Sequence, residues 1–241
     1  MKFLIKTLTI LSFFTITLVG YGQEENTEEK INEKANKKLI LDLGGDLVSS
    51  YVWRGMYQTG ISIQPSLSLS AYGITIGAWG STDFSTVAKE IDFYLSYQIK
   101  GFSIGIADYW RNGERASYFR DCGSHHIEAN IGYTFPDKFP LSLEISMLLL
   151  GDEDKNDKGK NYYSTYISAS FPFSVKSIDC EVGIGVTPWE GIYSDKFNVA
   201  AITLKASKNL QISTQYSISI FTELTFSPAQ DKAFFVFGIN F

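Results

Sequence analysis

From residue 39 to its end the chain alternates apolar and small polar side chains, one for one, in segment after segment. In Ile61-Ser62-Ile63-Gln64-Pro65-Ser66-Leu67-Ser68-Leu69-Ser70 the odd positions are apolar and the even ones are Ser or Gln. Successive side chains of a β-strand point to opposite faces, so this segment has one greasy face and one wet face. The code recurs from Ile91 to Ile99, Ile127 to Phe135, Ile212 to Ile220 and Phe235 to Phe241. Nothing past the first 22 residues has the unbroken apolar run of roughly 20 residues that a membrane helix requires. The expectation is an all-β chain.

Period-two segments fall at roughly 39–54, 61–71, 74–81, 90–100, 102–110, 125–135, 141–150, 162–171, 175–187, 197–206, 210–226 and 232–241. That is about twelve, and bacterial single-chain membrane barrels have an even number of strands. A soluble sandwich or lipocalin-like barrel would also alternate. The polar face here, however, is mostly Ser, Gly, Thr and Asn with scattered acids, which suits a wet lumen better than a charged outer surface. The links also alternate in length. Ala71–Gly73, Lys100–Gly101, Phe135–Pro140, Pro172–Ser174 and Ser207–Asn209 read as short turns. Gly55–Gly60, Ser81–Lys89, Arg111–Ser124, Gly151–Asn161 and Pro188–Lys196 are longer, and only Ser227–Asp231 is brief among that set. Short periplasmic turns alternating with longer outer loops are the outer-membrane pattern. The predicted fold is a closed antiparallel transmembrane β-barrel of about 12 strands, with both termini periplasmic.

Aromatic residues gather near the predicted strand ends: Tyr51, Trp53, Trp79, Trp110, Tyr133, Phe135, Tyr163, Phe171, Trp189 and Phe226. They are expected to form the interfacial girdle of such a barrel. Ahead of the barrel, residues 1–22 read as a cleaved signal peptide. Lys2 and Lys6 start it, Leu8–Val19 is its apolar stretch and Gly20-Tyr21-Gly22 its small-x-small exit. Residues 23–38 are rich in Glu, Asn and Lys and read as a flexible charged periplasmic lead-in. Residues 39–241 are the barrel, expected in the outer membrane of a Gram-negative bacterium. Its expected partners are outer-membrane lipids and lipopolysaccharide.

The chain closes on Phe234-Phe235-Val236-Phe237-Gly238-Ile239-Asn240-Phe241, apolar at alternate positions with an aromatic last. This resembles the terminal signal that barrel-assembly machinery reads in its clients, and implies that Phe241 carries it. The first segment contains Ser49-Ser50-Tyr51-Val52-Trp53-Arg54-Gly55. The S-x-Y-V-W-R-G run resembles the opening strand of the TorF-type outer-membrane porin family. The resemblance implies a barrel and suggests a pore; it carries no substrate and no catalytic set. By parity, Tyr51 and Trp53 are expected at the lipid interface and Arg54 in the lumen at the outer rim.

Polar parity assigns a lumen lining of Asp42, Asp46, Asp92, Glu128, Glu144, Asp179, Glu181 and Glu223, against the bases Arg54 and Lys232, with Lys100 and Lys205 less firmly placed. Twelve strands lie between a side-chain-filled barrel and a wide porin, so a narrow pore is expected. Its acid excess would enrich small cationic solutes. The alternatives are a non-conducting structural or surface-binding barrel, its charges paired across the interior, and an outer-membrane lipid-modifying enzyme. For the latter, Ser124, His126 and Glu128 share a strand face. Ser124 and His126 are roughly 7 Å apart along such a strand, an awkward reach for a nucleophile and its base. No enzyme, cofactor or metal is expected. Asp121, Cys122, His125 and His126 match no zinc spacing, and Gly151–Asp157 lacks the glycine and final Glu of an EF-hand loop. Cys122 and Cys180 make no disulfide framework, and a net charge of −5 argues against nucleic acid.

Overall fold

The computed structural model describes residues 39–84, 89–111, 118, 124–136, 139–214 and 216–241. The expected signal peptide and lead-in lie outside the described residues. Twelve strands close into one antiparallel barrel, each hydrogen-bonded to its neighbour in sequence. They are β1 (Ile40–Val48), β4 (Ser62–Ala71), β5 (Ile74–Asp83), β6 (Lys89–Ile99), β7 (Phe102–Trp110), β8 (His125–Thr134), β9 (Ser142–Leu150), β10 (Thr165–Val175), β11 (Ile178–Thr187), β12 (Asn198–Gln211), β13 (Ser217–Ser227) and β14 (Lys232–Asn240). Between β1 and β4 lies a separate hairpin, β2 (Tyr51–Trp53) with β3 (Met56–Thr59).

The alternation decides which face goes where. On β4, Ser62, Gln64, Ser66 and Ser68 are buried inward while Ile63, Leu67 and Leu69 stand outward and exposed. The outward row continues through Ile76, Leu95 and Ile106 on β5, β6 and β7, which are register neighbours, each about half exposed. Large apolar side chains exposed all round a closed sheet are far more than a water-soluble surface ordinarily carries. The interior is the polar face.

Two ends differ in construction. The turn end carries both described chain ends and tight connections. Tyr72 and Gly73 have φ of 55° and 80°, Lys100 and Gly101 48° and 85°. Two central residues at positive φ suit the twist of a two-residue hairpin. A Cβ on Gly101 would stand 2.5 Å from the Thr134 carbonyl oxygen, so the second position must be glycine. The loop end carries the longer links.

The barrel is sealed where β1 meets β14, in register Asp46 with Asn240, Leu47 with Ile239 and Val48 with Gly238. Gly45 and Phe241 extend this seam by exchanging both backbone hydrogen bonds, each 3.0 Å. The Phe241 ring lies over Gly45, its Cζ 3.2 Å from where a Cβ would be.

Three boundaries differ from expectation. The expected first strand over 39–54 ends at Val48, and Tyr51–Trp53 belong to the separate hairpin. The hairpin between β10 and β11 turns at Lys176 and Ser177, not at Pro172–Ser174; Pro172 is inside β10, opposite Glu181. Likewise β12 runs through Ser207–Asn209 to Gln211, and β13 begins at Ser217. Backbone hydrogen bonds from Ile212 and Ser213 to the Tyr216 carbonyl close that turn.

Candidate functional site

The link after β1 does not run over the rim. Hairpin β2–β3 folds into the lumen at the loop end, and its tip reaches the β12–β13 wall. Arg54 (φ 49°) and Gly55 (φ 80°) make the tip. A Cβ on Gly55 would sit 2.1 Å from the Ala200 carbonyl oxygen and 2.8 Å from Ser227 Oγ, so only glycine passes there.

Tyr51 and Trp53 are therefore not interfacial residues. Both are under 9% exposed and form the core of the closed end with Trp79, Tyr109 and Tyr193. Tyr51 packs on Trp79 at 5.3 Å between centroids, and Trp53 on Tyr109 at 5.8 Å and Tyr193 at 5.7 Å. Trp79 also leaves the expected girdle: it shares inward parity with Gly77 and Ser81 on β5. Trp110 has outward parity but is covered by Tyr118, 5.7 Å away, and is only 7% exposed. Trp189, at the loop end, is exposed, and its indole N–H donates to the Tyr163 carbonyl.

Two cations fasten the hairpin. Arg54 donates from Nη1 to Glu128 Oε2 at 2.5 Å and from Nη2 to Oε1 at 2.9 Å, a two-pronged pair. It also donates to the Tyr193 hydroxyl, and Tyr109 donates to Glu128 Oε1 at 2.8 Å. Arg54 is thus not at the rim but bound to the buried β8 wall. Arg111, which sequence parity did not single out, donates from Nε to Glu90 at 2.9 Å. Trp53 takes a guanidinium on its ring from each: Arg54 Cζ at 4.7 Å and Arg111 Cζ at 4.4 Å from its centroid. Such contacts strengthen where water is excluded.

Beneath the hairpin lies a cavity of about 200 Å³ lined by Asp46, Glu144, Glu181, Glu223, Lys205 and Gln64, with Trp53 and Arg54 in its roof. Lys205 stands in register between Glu181 on β11 and Glu223 on β13, its ammonium 4.7 Å over the Phe221 ring. Asp46 accepts from Asn240 Nδ2 at 2.8 Å. Toward the turn end the lumen opens: inward-facing Asp179 is exposed, whereas the residues under the loops are buried. Of the remaining expected lining, Asp42 is inward and half-buried on β1, Asp92 is fully buried on β6, and Lys232 is exposed at the start of β14. Lys100 is in a turn, outside the lumen. Inward Asp83 and Glu90, both buried, extend the acidic wall. The even spacing of Glu90 from Asp92 on β6 was the available signal for it.

Neither His126 nitrogen makes a hydrogen bond among the described residues, to Ser124 or to Glu128; its nearest acid is Glu153, at 3.5 Å. His125 faces outward and holds Asp108 at 2.9 Å, with Tyr118 donating to the same carboxylate at 2.9 Å. Burial first, and that hydrogen bond next, push the Tyr118 phenol up to about 12. In the Gly151–Asp157 loop, Asp154 is fully buried and accepts the backbone N–H groups of Tyr163 and Ser164 at 3.0 and 3.1 Å. It shapes the loop, and no group of three or more metal-binding side chains occurs among the described residues. Asp121 and Cys122 lie outside them. Compared with known families and with curated proteins, the sequence matches no family model and no curated protein.

Proposed function

We propose that the chain is an outer-membrane barrel of the TorF-like porin type, passing small solutes with a preference for cations, and that hairpin β2–β3 is its constriction. The observation that carries this reading is the inside-out barrel: an exposed apolar exterior around a polar interior where carboxylates outnumber bases. Such an exterior suits lipid and lipopolysaccharide, and such an interior suits water and cations. The seated Phe241 is in keeping with a terminal signal for barrel-assembly machinery.

A second reading is supported by the Arg54–Glu128 pair and by Arg111, held by Glu90 against the Trp53 ring, which together fix the hairpin in place: a barrel that does not conduct. Single-channel recording in planar bilayers under a salt gradient separates the two. The expected result is small, infrequent steps for the native protein and larger, cation-biased steps once residues 51–59 are replaced by a short Gly-Ser link. A hairpin-less barrel that inserts and stays silent would overturn the pore.

A further inference from the structure

The inward row of β4 is a line of uncharged polar groups: Ser62, Gln64, Ser66, Ser68 and Ser70 point into the barrel in turn. The first four are at most 8% exposed. Among the described residues, the Ser62 and Ser66 hydroxyls and the Gln64 amide nitrogen have no hydrogen-bond partner, and neither has Ser81 Oγ on the inner face of adjoining β5. Leaving such groups dry is unfavourable, and in folded proteins buried water commonly meets them. Side chains on one face of a strand recur about every 6.8 Å. One or two waters span that interval at about 2.8 Å per hydrogen bond. Gly44, the register neighbour of Ser66 on β1, adds no side chain to crowd the line.

The row also has the direction of a passage. β4 starts at the loop end and finishes at the Tyr72–Gly73 turn. Ser62 to Ser70 is about 27 Å of strand. Even tilted, that length crosses most of an apolar band roughly 25 Å tall. Gln64 already stands in the chamber wall, and Ser68 and Ser70 carry the line on to the turn end. The hairpin makes no hydrogen bond to the three unpartnered groups. It is fastened to Glu128 on β8 and sets its tip on Ala200 of β12, each four strands from β4 around the barrel. Toward β5 it offers the Tyr51 ring, packed on Trp79, the register partner of Ser66.

We propose that β4 guides a single file of water past the seated hairpin, from the loop end into the chamber, so that the barrel passes water while the hairpin holds solutes back. Ser62, Gln64 and Ser66 hand the file along, with Ser81 beside them. The inference rests on the reading of the barrel as membrane-spanning but not on the passage of ions.

Stopped-flow light scattering of proteoliposomes shrinking in a sucrose gradient tests it. Vesicles holding the native protein are expected to shrink several-fold faster than protein-free ones. Ser62→Val with Ser66→Val should abolish most of that excess. Ser62→Thr with Ser66→Thr, close to the same shape but keeping both hydroxyls, should retain it. The heat-dependent shift in gel electrophoresis checks that each pair folds. Native vesicles no faster than lipid alone overturn the proposal. So does a valine pair as fast as native, or a threonine pair as slow as the valine pair. Glycerol entering as fast as water leaves would overturn the exclusion of solutes. Water flux through a barrel that carries no current keeps the file and loses the pore. Current through a barrel whose water flux survives the valine pair loses the file alone.

Discussion

Arg54 joins the hairpin to the wall, and its environment fixes what removing it does. Arg54→Ala strands Glu128, 1% exposed, without its cation. Breaking such a pair from one side costs about 3–5 kcal/mol, whereas replacing both partners with apolar residues of similar size is often close to neutral. Urea unfolding in detergent, followed by tryptophan fluorescence, should therefore show Arg54→Ala strongly destabilised and Arg54→Met with Glu128→Leu largely restored. Equal losses in the single and double variants would mean the charge pair is not what holds the hairpin. Both residues were legible as lumen-facing from parity alone. Their contact, 74 positions apart, was not, because parity gives a direction and not a depth. Trp79 is the instructive miss. Its own alternation with Gly77 and Ser81 pointed inward, and proximity to a strand end outweighed that signal.

At the level of elements, the strands were readable because one residue of slippage would exchange the apolar outward and polar inward sides along the whole strand. The connections were less so. Alternation persists straight through Ser207–Asn209, and Pro172 stands inside a strand, where proline usually signals a break. Hairpin β2–β3 was hidden for a related reason: Tyr51 and Trp53 continue the alternation of β1, so the segment reads as one long strand. The two positive-φ residues at Arg54 and Gly55 are the only local mark of the reversal. The seam between β1 and β14 is the shortest contact in the barrel, three register pairs extended by Gly45 and Phe241. Gly45→Val drives a side chain into the Phe241 ring. The expected outcome is a lower yield of folded, heat-shifting protein in a refolding assay, with a conservative Gly45→Ala nearer to native. A native yield for the valine variant would show the ring can swing aside and that Phe241 does not seal the barrel.

For the whole molecule, the polarity of the two faces is the property from which the rest follows. A charge placed on the outward row should be expelled from lipid, and the same charge placed inward should be tolerated. Leu95→Arg, outward near the middle of β6, is expected to cost about 2–4 kcal/mol in folding into bilayers, as midplane cations do in membrane barrels. Its inward neighbour Ser96→Arg should fold and shift ion selectivity toward anions. Vesicle folding titrations measure the first, and reversal potentials the second. Comparable stability of both proteins in lipid would mean the apolar belt does not face a membrane.

The roofed chamber has a consequence in sidedness. A container with one mouth reports which compartment it faces. In a cysteine-free background, Thr203→Cys in the chamber wall should react with a membrane-impermeant maleimide supplied on the turn side of oriented vesicles. From the loop side it should stay unmodified until the hairpin is removed. The two labelling rates therefore measure how often the roof lifts, and they do so even for a barrel through which no current is ever recorded.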